Sequence, residues 1–182
     1  MEHLIETPVS TALKYDGVIV RVRLDDALLP NGKPAKREVV EHPGGVAILP
    51  LLADGRVCCV RQFRYPFGEV LLEIPAGKLE YGEDHRLAAL RELQEEVGAV
   101  PARLDYLGKL YPSPGYSAEV LHLYLAQDLT MGESCPDEDE FLQEALLPLA
   151  ELVDMALTGQ LPDAKTAAAV LMTDRLLAQE HK

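Results

Sequence analysis

The order in which hydrophobic periodicity changes along the chain constrains its fold most strongly. Alternating strand-like segments come first, one helical segment follows, further strands come next and helices end the chain. The strand-like segments are residues 17–24, the run after the Asn31-Gly32 turn, 46–52, 56–64, 103–112 and 118–127, and the helical ones are 84–97, 148–158 and 164–180. This order predicts an α/β (α+β) chain with a mixed sheet and helices on its faces, and not a repeating βαβ fold.

Two local signals refine this outline. Asp54-Gly55, between two apolar runs, is typical of a two-residue hairpin turn. The central helix has one apolar stripe and a glycine, Gly98, placed to end it. The stripe consists of Leu87, Leu90, Leu93 and Val97.

Composition excludes several classes of protein. The chain has 182 residues and a net charge of −13, so no broad phosphate-neutralising surface for nucleic acid is expected. Its longest apolar run, residues 46–53, contains Pro50 and is too short to span a bilayer. The first ten residues lack the basic start and apolar core of a signal peptide, and three scattered cysteines form no disulfide framework. A cytoplasmic protein is therefore expected.

Three carboxylates of the central helix suggest chemistry. Glu92, Glu95 and Glu96 lie three and four residues apart, so they crowd one face. Oxygen ligands without histidine or cysteine favour a hard ion, Mg²⁺ or Mn²⁺. Arg91 can pair with Glu95 one turn later. The alternative interpretation of the helix alone is a solvent-exposed acidic face.

The spacing around these residues resembles the Nudix box, the motif of the Nudix hydrolases. Gly77 is followed after five residues by Glu83, and after seven more by RELQEEVG at residues 91–98. All seven fixed polar or glycine positions match, and Ala99 replaces the usual bulky aliphatic residue that follows. The resemblance implies a Nudix fold, a mixed β-sheet sandwiched between helices. It further implies an N-terminal antiparallel strand extension over residues 1–42, used in dimerisation, and a hydrolase domain over 43–182.

Flanking segments resemble the ADP-ribose pyrophosphatase branch of that family. They are RQFRYP (61–66), EIPAG (73–77), SPG (113–115), DEDEF (137–141) and DAKTA (163–167). This branch implies Mg²⁺-dependent cleavage of ADP-ribose to AMP and ribose 5-phosphate, with Mn²⁺ able to substitute. The open alternatives are another nucleoside diphosphate sugar such as GDP-mannose, an oxidised nucleotide, or a module that senses a nucleotide without cleaving it. A purely structural acidic interaction protein would leave the box spacing unexplained.

The resemblance also assigns the metal site. Glu92, Glu96 and the Ala76 backbone carbonyl are implied as metal ligands, with Glu95 joining them and Arg91 orienting the carboxylates. A general base must come from elsewhere, because a metal-bound carboxylate accepts protons poorly. On the acidic run 137–140 we assign Glu138 as the base and Glu140 as an additional ligand, although the register across four acids allows the two roles to be exchanged.

The same branch implies the substrate contacts. Arg64 is assigned to the pyrophosphate, because a guanidinium fork suits a pair of phosphate oxygens. Glu73 is assigned to the terminal ribose, and Pro114 lies where this branch has a proline beyond the box. Arg37 and Glu38 lie on N-terminal strands that exchange between two subunits and help to hold adenosine. We therefore expect a homodimer, with an intrachain hairpin as the alternative.

Overall fold

The structure is a computed structural model that describes residues 2–136 and 140–180. A short 3₁₀ helix, Glu2–Leu4, precedes the first strand. The strands are β1 (Thr7–Asp16), β2 (Arg21–Leu28), β3 (Pro34–Glu41), β4 (Gly45–Pro50), β5 (Arg56–Arg64), β6 (Glu69–Glu73), β7 (Ala76–Lys78), β8 (Ala99–Leu110), β9 (Leu121–Met131) and β10 (Gln143–Pro148). The helices are α1 (His85–Val97), α2 (Leu149–Leu157) and α3 (Ala164–Glu180).

The chain divides into two units. The first consists of Met1–Gly44 and Tyr111–Val120, and the second of Gly45–Leu110 and Leu121–Lys182. Strands β1, β2 and β3 form an antiparallel sheet in the first unit. Segment 111–120, which we expected in the larger domain, belongs to this unit and bonds to β3 on both sides of Val40.

Two sheets build the second unit. One has the order β7-β4-β9-β8 and is mixed, because β4 runs parallel to β9 while the other pairs are antiparallel. The other is antiparallel, in the order β10-β5-β6. A turn forms at this point, but it is not the expected two-residue turn: the Gly55 N–H bonds to the Leu52 carbonyl at 3.0 Å, and the Leu52 N–H to the Arg56 carbonyl at 2.8 Å, so Ala53, Asp54 and Gly55 form a three-residue connection. The strands that it joins then separate into different sheets, and a single bridge between Leu51 and Val57 links them.

Strand β4 and residues 57–60 of β5 are buried on both faces, which explains their continuous apolar sequences. Alternate residues point into two separate clusters, so that neighbouring Cys58 and Cys59 lie in different ones. Helix α1 covers the first cluster, and helices α2 and α3 cover the second. The expected α/β class, with sheets between helices, is confirmed. In the described part of the chain, no helix is both long and apolar enough to cross a membrane.

Some local predictions were wrong. Leu93 and Val97 of the predicted stripe are buried, but Leu87 is 65% exposed, and Ala88 and Ala89 are buried in addition. Strands β1, β6, β7 and β10 were not predicted. Strand β1 is exposed along its whole length, so burial imposes no alternation on it, and β7 has three residues. Such elements are fixed by pairing with another strand, which for β7 and β10 is distant in sequence, and not by their own pattern.

Candidate active site

Helix α1 has well-defined ends. The Asp84 side chain accepts hydrogen bonds from the N–H groups of Arg86 (2.9 Å) and Leu87 (3.0 Å), which caps the first turn. Gly98 ends the helix in the left-handed conformation, with φ of 64°. A Cβ at Gly98 would lie 2.5 Å from the carbonyl oxygen of Gly132, so glycine also permits the close approach of the chain that leads into the acidic loop.

Glu92 and Glu96 lie on the buried side of α1. Their residues are 6% and 4% exposed, which excludes the interpretation of this helix as a solvated acidic face. The Glu92 carboxylate lies against strand β7, and a Cβ at Gly77 would be 1.9 Å from it. The glycine that opens the box is therefore required sterically, because any side chain would displace that carboxylate.

Arg91 forms ion pairs with three carboxylates of the motif. It donates to Glu92 at 2.8 Å and to Glu95 at 3.0 Å, both through Nη1. Its Nη2 donates to Glu83 at 3.2 Å. One guanidinium thus joins three carboxylates that come from two parts of the motif. Glu95 is half-buried, and its pairing with Arg91 has the spacing of one helical turn expected from the sequence.

The buried carboxylates resist ionisation. Burial raises the pKa of Glu96 to about 8, and the charges of Glu140 and Glu92 add to the effect. The Ala76 backbone N–H bonds to Glu96 and opposes this rise. Burial likewise raises the pKa of Glu92, although Arg91 opposes it. Within the described residues, Glu96 Oε2 is buried and has no hydrogen-bond partner.

These features fit a divalent cation. A buried carboxylate oxygen without a partner is costly, and mutual repulsion between Glu92, Glu96 and Glu140 increases that cost. An ion bound to oxygen ligands would remove both penalties. The described part of the chain contains no ready-made cluster of three metal-ligating side chains. Arg91 donates to the Glu92 carboxylate and partly neutralises it.

The acidic loop is described only in part. Its beginning is attached to α1, because the Cys135 N–H donates to the Glu95 carbonyl at 2.8 Å. Glu140 is half-buried, and its charge acts on both Glu92 and Glu96. Glu138, our assigned base, lies outside the described residues together with Asp137 and Asp139.

Arg64 and Glu73 form a bidentate ion pair. The Nε and Nη2 groups of Arg64 donate to the two carboxylate oxygens of Glu73, each at 2.7 Å. Lys165 also donates to Glu73, which is 1% exposed. Burial acts to raise the pKa of Glu73, but these two cations outweigh it and hold the pKa below its usual value. In this arrangement Glu73 fixes Arg64, and its assignment to the terminal ribose stays a prediction.

The remaining predicted substrate residues lie in the first unit. Arg37 and Glu38 line an open groove of about 520 Å³ together with Leu24, Lys36, Gly115 and Tyr116. Pro114 is exposed beside this groove, in the turn closed by the bond from the Ser117 N–H to the Ser113 carbonyl. Arg37 is paired with Glu6. The structure thus brings Arg37, Glu38 and the Pro114 turn together.

The sequence predicted where α3 begins, but no site role was assigned to the residues at its start. The Asp163 carboxylate caps that helix through the Thr166 N–H at 3.0 Å, and the Thr166 hydroxyl accepts from the Ile74 N–H at 3.0 Å. Lys165 is buried between Glu73 and Asp163. The DAKTA segment carried the signal, but only as part of a family resemblance. A lysine between an N-cap and an apolar helix gives no indication from sequence that it will be buried.

Comparison with known proteins agrees with this geometry. The model of the NUDIX domain matches residues 41–170, and this chain belongs to the Nudix family. Among curated relatives, the ADP-ribose pyrophosphatase of Bacillus subtilis (strain 168) is 39% identical over 93% of both chains. The methanol dehydrogenase activator of Bacillus methanolicus is also 39% identical, over 97% of both chains. A crystal structure described as ADP compounds hydrolase superposes with a TM-score of 0.84 at 26% identity, covering 96% of this chain and 95% of that one.

Proposed function

We propose that this chain is an ADP-ribose pyrophosphatase that releases AMP and ribose 5-phosphate with Mg²⁺, for which Mn²⁺ can substitute. The observation that carries the catalytic part is the buried pair Glu92 and Glu96, with an oxygen of Glu96 left without a partner. The similarity to the Bacillus subtilis enzyme over nearly the whole of both chains supports the substrate. The oxygen-only set of ligands supports the choice of ion.

Glu92, Glu96 and the Ala76 carbonyl would hold the metal, with Glu140 as an additional ligand. When bound, the ion neutralises phosphate oxygens and acidifies the attacking water. Arg91 keeps Glu92 and Glu95 in place through the bonds described above. Arg64 uses two of its N–H groups on Glu73 and has others left to donate to a phosphate oxygen.

A carboxylate of the acidic loop is proposed to accept the proton of the attacking water. With Glu138 as the base, Glu138→Gln should lower kcat much more than it changes KM, because it removes proton transfer and leaves substrate binding intact. Glu140→Gln should instead weaken the dependence on Mg²⁺ concentration. Steady-state kinetics over a magnesium titration separates the two effects. The reverse pattern would exchange the two roles within the loop.

A panel of substrates tests the proposed activity. The purified protein should hydrolyse ADP-ribose with a higher kcat/KM than GDP-mannose, other nucleoside diphosphate sugars or oxidised nucleotides. AMP and ribose 5-phosphate should appear in equal amounts, because cleavage occurs within the pyrophosphate. A higher kcat/KM for GDP-mannose would contradict the assignment of substrate while leaving the hydrolase mechanism in place.

We further propose a homodimer in which the N-terminal strands are exchanged. Of the described residues in β1, β2 and β3, Ala27 alone is buried, and Val9, Leu13 and Tyr15 of β1 are each more than half exposed. A sheet with so little buried apolar area is not stable alone, and a second copy would cover it. Sedimentation equilibrium should therefore give a mass near twice 20.0 kDa. A monomer at micromolar concentration would contradict the exchange.

The second candidate function is activation of another enzyme, and it is favoured by the relative from Bacillus methanolicus. In that case the chain would act on a dehydrogenase. Adding the purified protein to a methanol dehydrogenase and measuring the rate of that enzyme tests this function directly. Comparison with a Glu96→Gln variant then shows whether any activation depends on hydrolysis.

A further inference from the structure

A chain of alternating charges links α3 to Arg64. Lys165 is 9% exposed, and its ammonium donates to Glu73 and, at 2.9 Å, to Asp163. Glu73 in turn holds Arg64 through two bonds of 2.7 Å. Arg64 is close enough to Glu96 for the charge of Glu96 to contribute to the raised pKa of Arg64, which the bond to Glu73 dominates. The chain of charges therefore begins on α3 and ends beside the buried box carboxylates.

The charge balance of this chain determines how Arg64 meets an anion. Arg64 and Lys165 carry two positive charges, and Glu73 and Asp163 carry two negative ones. The four together are neutral. Without Lys165 the remaining three would carry a net negative charge, in a place with little solvent to screen it. Glu73 would then offset the charge of Arg64 without sharing its own with Lys165, and a pyrophosphate would meet a net negative cluster.

The same contacts hold the backbone that leads to the site. Glu73 ends strand β6, and the next residue, Ile74, donates its N–H to Thr166 of α3. Pro75 accepts a bond of 2.9 Å from the Ile48 N–H, and Ala76 then bonds to Glu96. The start of α3 thus fixes one end of a four-residue segment whose other end contacts the proposed metal ligands.

From this geometry we propose that Lys165 is a positioning residue, which shares the charge of Glu73 and thereby keeps Arg64 oriented, and only partly neutralised, towards the pyrophosphate of the substrate. The inference rests on the proposed function, because it takes Arg64 as a phosphate contact. Lys165 itself touches neither substrate nor metal in this account. Its effect on substrate binding must therefore pass through Arg64. A purely structural role of Lys165 would not depend on Arg64, so the two roles can be distinguished by experiment.

A double-mutant cycle tests this route. The dissociation constant of ADP-ribose is measured by calorimetry in EDTA, where no turnover occurs, for the parent, Lys165→Met, Arg64→Met and the double variant. Lys165→Met should weaken binding about ten-fold in the parent background, the order expected for weakening one charge-assisted hydrogen bond. In the Arg64→Met background it should change binding less than two-fold, because the group through which it acts is absent. With Mg²⁺ present, KM should rise and kcat should stay within about three-fold.

Controls separate this effect from charge and folding. Lys33→Met removes one exposed positive charge and should leave the dissociation constant unchanged. If Lys165→Met does not fold, Lys165→Gln replaces it, since glutamine still offers an N–H group to Glu73 without the charge. Thermal unfolding of each variant shows that the native state is populated.

Two results would overturn the inference: unchanged binding by the Lys165 variant, or an equal loss in both backgrounds. Either result leaves the proposed function intact if the parent hydrolyses ADP-ribose. If the parent does not, the proposed function fails. In that case the double-mutant cycle is repeated with inorganic pyrophosphate, which carries the phosphate groups alone. The same two results would overturn the role proposed for Lys165.

Discussion

Replacing Glu96 by glutamine should lower metal-dependent hydrolysis by about three orders of magnitude. The variant keeps the shape of the side chain and removes the charge that holds the cation. Metal ions supply several kcal/mol of transition-state stabilisation, and each 1.4 kcal/mol corresponds to about a ten-fold change in rate. Glu92→Gln should have an effect of similar order. Both rates are measured with ADP-ribose at saturating Mg²⁺.

The matched control is Glu69→Gln, which neutralises an exposed carboxylate at the start of β6. It should retain the parent rate within about two-fold, because solvent screens that charge. Calorimetry with Mg²⁺ or Mn²⁺ should also show binding by the parent and little by the Glu96 variant. Rates close to that of the parent for both box variants would refute the metal site.

The same Glu96→Gln change should stabilise the protein when no metal is bound. The ordinary pKa of this carboxyl is 4.5, and burial raises it to about 8 in the folded state. The folded state therefore binds this proton more tightly than the unfolded state does. The resulting stability is fully present below pH 4.5 and is lost as the pH rises through 8. Glutamine carries no charge at any pH, so the stability of the variant does not fall in this way as the pH rises.

At pH 8.5 in EDTA, the free energy of unfolding of the variant should exceed that of the parent by about 2 kcal/mol, because the parent then buries a charged carboxylate and the variant buries only a neutral amide. For a chain of this size the difference is roughly 4–8 °C in Tm. Saturating Mg²⁺ should reverse the order, because the parent alone gains stability from binding. Glu69→Gln should lie within about 0.5 kcal/mol of the parent. A variant less stable than the parent in EDTA would contradict the account of Glu96 as an orphaned charge.

Much of the fold could be predicted where one element carries its own pattern. Helix α1 begins at the residue after Asp84 and ends before Gly98, because cap residues are local in sequence. Helices α2 and α3 follow prolines or a capping aspartate in the same way. A chain reversal also formed at Asp54-Gly55, with one more residue than expected, but the separation of β4 and β5 into two sheets did not follow from it. Which strands pair depends on the two clusters that they fill together.

The candidate site also has one part that could be predicted from the sequence and one part that could not. The box residues could be identified from spacing, and the structure adds that Glu92 and Glu96 are buried while Glu95 is held at the surface by Arg91. The ion pair between Glu73 and Lys165 could not be predicted, because the two residues are 92 positions apart in sequence. No local pattern reports such a pair.

The amino-acid sequence by itself determined the family, the central helix with its caps, and the set of acids that can bind a divalent ion. All of these depend on residue types at short spacings along one helix and its flanking loop. Tertiary structure alone decided which of those acids are buried, why Gly77 admits no side chain, and that Lys165 reaches Glu73. Burial and charge pairing depend on segments that meet only after the chain has folded, and such meetings leave no regular spacing in the sequence.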